Sequence, residues 1–141
     1  MILISHRGNI NGPCEETENK PENIEQILKK YNVEIDIWHK DGKLYLGHDY
    51  PKYEIEKDFL LQDGLWCHAK NLEALQFLKE NGNIHFFWHQ NDDYTITSRG
   101  YIWAFPGKEL SDDSICVLPE LNEYKIGKAM GICTDYINKF I

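Results

Sequence analysis

The chain has 141 residues, the length of one domain with a core that needs no disulfide support. Hydrophobic residues make up 42% and charged residues 27%, which sets aside disordered and fibrous classes. The formal net charge of −8 argues against nucleic acid and against an electrostatic hold on anionic lipid; it leaves phosphate esters open, because a metal ion and a few local cations reverse the field inside a pocket.

Cys14, Cys67, Cys116 and Cys133 are far apart and form no C-x-x-C pair, so neither a zinc ribbon nor a disulfide framework is expected. Reduced thiols in the cytoplasm are the expectation. The apolar stretch after Met1 is too short for a signal peptide, and no run reaches the length of an integral membrane segment.

In chain order, the apolar run Ile2 to Ile4 ends abruptly in Ser5-His6-Arg7-Gly8, the pattern of a buried parallel strand emptying into a functional loop. Asn9 to Lys20 is rich in Gly, Pro, Asn and Glu and reads as a loop. Pro21-Glu22-Asn23 opens a helix to about Tyr31, with Ile24, Ile27 and Leu28 on one face. Val33 to Trp38 alternates as a strand, Asp41-Gly42 is a turn, and Lys43 to Gly47 extends again into His48-Asp49. Leu65 to Lys70 is a strand. Asn71 caps a helix to Asn81, with Leu72, Leu75 and Leu78 as its stripe and Gly82 past its end. Ile84 to His89, Tyr101 to Phe105, Ile115 to Leu118 and Gly131 to Thr134 read as further strands, with a short helix over Leu121 to Ala129.

Strands alternating with helices or loops imply an α/β protein with a parallel sheet. Most strands end in a polar or reactive group: His6-Arg7, Glu34/Asp36, His68/Lys70, His89, Glu120 and Asp135. In a (β/α)8 barrel the active site lies at those strand ends. A single domain over 1–141 falls short of the usual ~250 residues of such barrels. The expected fold is therefore a compressed or incomplete (β/α)8 TIM-type barrel, its thin side covered by a second copy in a homodimer.

Glu34 and Asp36 lie two apart on a strand and point to one face. Two carboxylates converging inside a barrel repel each other unless a cation sits between them, and oxygen ligands suit Mg²⁺, Ca²⁺ or Mn²⁺.

The ordered set His6-Arg7-Gly8, Pro21-Glu22-Asn23, Glu34-Ile35-Asp36, Asp41-Gly42 and His48-Asp49, closed by Thr134-Asp135, resembles the glycerophosphodiester phosphodiesterase family. The resemblance is dense over residues 2 to 49 and thin between 72 and 130. It implies the PLC-like phosphodiesterase architecture and a divalent-metal-dependent phosphodiester hydrolase acting on a small glycerol- or sugar-linked substrate. His6 and His48 correspond to the catalytic pair, one deprotonating the nucleophile and the other protonating the leaving alkoxide. Arg7 and Lys70 would grip the phosphate, and Glu34 and Asp36 would hold the metal.

The chain departs from the family at Trp66-Cys67-His68-Ala69-Lys70, where His68 replaces the usual third carboxylate. His68 is either a ligand, tilting the site from Mg²⁺ or Ca²⁺ towards Mn²⁺ or Zn²⁺, or a spacer. Trp88, His89, Trp103, Glu120 and Asp135 are candidates for the substrate pocket, with core packing expected for at least one Trp and Glu120 a reserve ligand. Arg99 offers either a phosphate contact or a plain turn. The competing functions are a related barrel lyase of the phosphatidylinositol-specific phospholipase or sphingomyelinase D type, and a binding module that keeps the site without turnover.

Overall fold

The architecture is taken from a computed structural model describing Met1–Ile141. The chain forms β1 (Ile2–His6), α1 (Pro21–Leu28), β2 (Asn32–Lys40), β3 (Lys43–Leu46), β4 (Tyr53–Ile55), β5 (Leu65–Ala69), α2 (Leu72–Glu80), β6 (Phe86–Phe87), β7 (Tyr94–Ile96), β8 (Ile102–Ala104), β9 (Ser114–Val117) and β10 (Gly131–Thr134). Single 3-10 turns cover Lys57–Leu61, Pro119–Asn122 and Ile137–Phe140.

All ten strands belong to one curled, mixed sheet. β1 lies between β2 and β10, both parallel to it. From there β5 and β6 extend the parallel sheet on one side and β9 and β8 on the other. β3 and β4 form an antiparallel extension of the far half of β2, and β7 runs antiparallel to β8. No ladder joins β6 to β8. Across that seam the Ser98 amide donates to Phe86 O at 2.8 Å and the Ser98 hydroxyl accepts from the Phe86 amide at 2.9 Å.

The period-2 alternation of the strands divides the core in two. The concave face is filled by Ile4, Trp66, Phe87, Trp103, Ile115, Val117 and Cys133. The convex face of β2 and β5 sends Val33, Ile35, Ile37, Leu65, Cys67 and Ala69 under α1, α2 and the β3–β4 extension. Pro21 starts α1 with its φ already set, and Ile24 is the residue α1 buries completely. Asn71 caps α2, its side chain accepting from the Ala74 amide at 3.0 Å.

This is not the expected (β/α)8 barrel. The chain has only two α-helices and an open, curled half-barrel of mixed strands. α1 covers the β1-to-β2 crossover and α2 the β5-to-β6 crossover, while the other connections are hairpins, turns and loops. With no helix on their outer side, β7 and β8 expose Ile96 and line a groove of about 550 Å³ with Tyr94, Ile102 and Leu110, on the face opposite Trp103 and Ile115.

Two local expectations are also corrected. The helix over Leu121 to Ala129 is absent: Leu118, Glu123 and Tyr124 have φ of 47°, 57° and 58°, and those left-handed residues leave only the turn Pro119–Asn122. The buried face of α2 is Ala74 and Leu78 rather than a stripe through Leu72, which is 67% exposed. α2 closes at Asn81, its side-chain amide donating to Phe77 O at 2.6 Å, with Gly82 directly past the end as expected. No helix is long and apolar enough to cross a membrane.

Candidate metal and active site

Strand register builds the site. Because β1, β2 and β5 are parallel neighbours, His6 lies beside Glu34, and Asp36 lies beside His68. Alternation sends Glu34 and Asp36 to the concave face while Ile35 goes to the convex core, so the two carboxylates are only 2% and 1% exposed. His68 Nδ1 is 3.3 Å from Asp36 Oδ1 and 3.7 Å from Glu34 Oε1. One donor atom from each of Glu34, Asp36 and His68 falls within 4.8 Å of the others.

Asp36 is held from behind by Asn19. The Asn19 side-chain amide donates to Asp36 Oδ2 at 2.9 Å, and its carbonyl oxygen accepts from the Asp36 amide at 2.9 Å. Burial alone would raise the Asp36 carboxyl, but His48, His68 and Arg7 around it hold it well below the usual carboxylate range. Glu34 Oε2 has no hydrogen-bond partner despite its burial. A buried carboxylate oxygen left open, with a second carboxylate and an imidazole nitrogen beside it, fits the donor set of a divalent cation.

His6 and Asp135 form a pair. Asp135 Oδ1 lies 2.7 Å from His6 Nδ1 and accepts from the Asn9 side-chain amide at 2.8 Å. The carboxylate can only accept, so His6 Nδ1 carries the proton and Nε2 faces Glu34 Oε2, 3.7 Å away. Burial lowers the His6 pKa, but the Asp135 bond and the Glu34 charge outweigh it and the net direction is up. Thr134, next to Asp135, packs its hydroxyl 2.7 Å and 2.8 Å from the oxygens of Glu120.

Arg7 has φ +57° and Gly8 φ +88°, a tight turn that carries the guanidinium over the carboxylates. A Cβ on Gly8 would meet Asn23 Nδ2 at 2.7 Å and Ile24 Cδ1 at 2.9 Å, and Asn23 donates to Gly8 O at 3.1 Å. The Pro-Glu-Asn start of α1 therefore locks the His-Arg-Gly turn. Arg7 Nε is 3.4 Å from Asp36 Oδ2, Nη1 donates to Glu18 Oε1 at 3.3 Å, and Nη2 donates to His48 Nε2 at 3.2 Å. His48 follows Gly47, where the Tyr50 carbonyl occupies the place a side chain would need. His48 Nδ1 is 3.6 Å from Asp36 Oδ2. A polar cavity of about 450 Å³ opens here, lined by Arg7, His48, Glu18, Glu15, Tyr50 and Lys52 among others.

His68 is fixed from three sides. Its Nε2 bonds to His89 O at 2.8 Å, and its ring stacks on Phe87 with centroids 5.1 Å apart and planes 13° apart. Burial lowers its pKa, but the bonds to Asp36 and Glu34 push it up to about 9.

The structure thus brings together His6, Arg7, Glu34, Asp36, His48, His68 and Asp135. Lys70 lies one residue past β5 and makes no hydrogen bond or ion pair with the cluster. Trp103 is core, 3% exposed and packed on Phe87 at 4.5 Å, rather than pocket wall. His89 contributes its backbone carbonyl while its ring pairs with Asp92 at 3.0 Å, and Trp88 is 38% exposed. Glu120 braces the end of β10 instead of serving as a reserve ligand. Arg99 binds Asn83 O at 2.9 Å, away from the cluster. Asn9, Glu18 and Asn19 belong to the site although nothing in the sequence singles them out; the only signal is the density of Asn and Glu directly after His-Arg-Gly.

Comparison with protein-family models, with curated proteins and with solved structures gives no match for this chain.

Proposed function

We propose that the chain is a divalent-metal-dependent phosphodiester hydrolase acting on a small phosphodiester of a polar alcohol, such as a glycerol- or sugar-linked one. The observation that carries this is the grouping of orphaned polar atoms. Arg7 Nε, Glu34 Oε2 and His48 Nδ1 are buried without a hydrogen-bond partner, and all lie against the Glu34–Asp36 pair. A phosphate ester with a bound cation satisfies them together: oxyanions to Arg7 and His48, the cation to the carboxylates.

His6 acts as the base. Its Nδ1–H is held by Asp135, so Nε2 takes a proton from the attacking water as the oxygen–phosphorus bond forms. His48, protonated at Nε2 from the open polar cavity once Arg7 has turned to the phosphate, delivers that proton to the alkoxide as the opposite phosphorus–oxygen bond breaks. The assignment follows from access: the His6 side chain is 14% exposed and that of His48 39%, so the departing alcohol lies on the His48 side, in the polar cavity. Arg7 leaves His48 Nε2 for a phosphate oxygen and counters the charge that builds up there. When bound, the cation supplies Lewis-acid polarisation of the phosphoryl group. The four free cysteines fit a reducing, cytoplasmic setting.

Phosphorus NMR of a glycerophosphodiester incubated with metal-loaded protein tests the reaction type. Glycerol phosphate accumulating without a cyclic phosphate is expected. A persistent cyclic phosphate identifies a lyase instead, and unchanged substrate identifies a binding module.

A further inference from the structure

We propose that this site takes a first-row transition ion, Mn²⁺ or Zn²⁺, through the His68 Nδ1 nitrogen together with Glu34 and Asp36, in preference to Mg²⁺ or Ca²⁺. The inference deepens the metal-dependent reading above and rests on it.

The imidazole of His68 is aimed at the two carboxylates through Nδ1. A backbone carbonyl only accepts, so the 2.8 Å contact with His89 O requires the proton on His68 Nε2. Nδ1 is then the atom aimed at Asp36 Oδ1 and Glu34 Oε1, and an ion bound between them displaces the Nδ1 proton and takes its lone pair. Donation of the far N–H to a carbonyl is how proteins orient a metal-ligating imidazole.

The ring is also held rigidly. Phe87 stacks on His68 and is itself packed on Trp103, so the ring plane is set by the concave core. The carboxylate oxygens divide their partners. Asp36 Oδ2 receives Asn19 and faces Arg7 and His48, leaving Oδ1 to His68 and to an ion. Glu34, 2% exposed, keeps Oε2 without a hydrogen bond.

The donor set is therefore one nitrogen and two carboxylates. Imidazole nitrogen suits Zn²⁺ and other first-row transition ions, and carboxylate tolerates Mn²⁺ as well. Mg²⁺ and Ca²⁺ prefer all-oxygen shells and gain little from nitrogen.

The test is calorimetric titration of metal-stripped protein with Mn²⁺, Zn²⁺, Mg²⁺ and Ca²⁺ at one pH, together with ¹⁵N-histidine NMR during Zn²⁺ addition. One Mn²⁺ or Zn²⁺ per chain is expected, at least about tenfold tighter than Mg²⁺ or Ca²⁺, and the His68 Nδ1 resonance should move as Zn²⁺ saturates. In His68→Glu, which restores three carboxylates, Mg²⁺ and Ca²⁺ binding should strengthen relative to Zn²⁺. Equal affinity for Mg²⁺ and Zn²⁺, or an Nδ1 signal unmoved at saturating Zn²⁺, would overturn the proposal; the NMR readout stands even if His68→Glu does not fold. Tight Zn²⁺ binding through Nδ1 with no phosphodiester turnover would sink the hydrolase and leave this assignment standing. Turnover supported by Mg²⁺ with Nδ1 unmoved would do the reverse.

Discussion

His6, the proposed base, illustrates how much of this site depends on the neighbours of one side chain. Its Nε2 is usable only while Asp135 Oδ1 holds Nδ1, and Asp135 is in turn steadied by Asn9 and by the Glu120 contact at the end of β10. Asp135→Asn keeps the shape but can donate to His6 and reverse its tautomer. Activity is expected to fall by about 10- to 100-fold, mostly in kcat with KM little changed; equal loss in both would mean Asp135 serves only the fold. The pair Glu34 and Asp36 was readable from spacing, because period 2 fixes which face a residue takes. Asn19 was not: it sits seventeen positions before Asp36 at φ +58°, and only the folded loop aims its side chain at that carboxylate. Lys70 stands one residue past β5 and outside the ion pairs of the cluster, so its motif position alone speaks for a phosphate grip.

At the scale of elements, local signals were reliable where packing agreed with them. The Pro start of α1 and the Asn71 cap of α2 appear as expected because each precedes residues that bury a face, Ile24 in α1 and Ala74 and Leu78 in α2. Leu121 to Ala129 has helix-compatible residues but buries no face of its own, and left-handed Glu123 and Tyr124 interrupt it. β7 was missed because Tyr94–Ile96 is short and exposed, with Ile96 pointing to solvent. The β5–β6 contact makes a pH prediction. His85 is 4% exposed, lies 4.2 Å from the Trp66 ring and bonds Thr97 Oγ1 at 2.7 Å. Burial, with the Arg99 charge adding to it, pushes its pKa down from 6.5 to about 4. Between those values the unfolded chain binds a proton that the folded chain refuses, so this histidine's contribution to stability is lost as pH falls through that window. In urea unfolding, wild type should lose more stability than His85→Gln between neutral pH and pH ~4.5. Equal losses would show that His85 is not the group responsible.

For the whole molecule, the parallel strands were largely readable, and most of the helices that a barrel needs are absent. Short strands ending in reactive groups are common to a barrel and to this curled sheet, so the strand-end pattern alone could not separate them. Chain length decides it in physical terms. The segments after β6 supply turns instead of helices, and Phe87 and Trp103 pack against each other across the seam where strands would pair in a closed barrel. The concave end that gathers His6, Glu34, Asp36 and His68 survives this reduction, because it needs only β1, β2 and β5 in register. Hydrolysis of bis(p-nitrophenyl) phosphate by metal-stripped protein, with divalent ions added back one at a time, tests that claim most directly. Turnover should require an added ion and fall by roughly 10²- to 10⁴-fold in His6→Ala. Folded, metal-loaded protein with no turnover, or turnover untouched by His6→Ala, would contradict it.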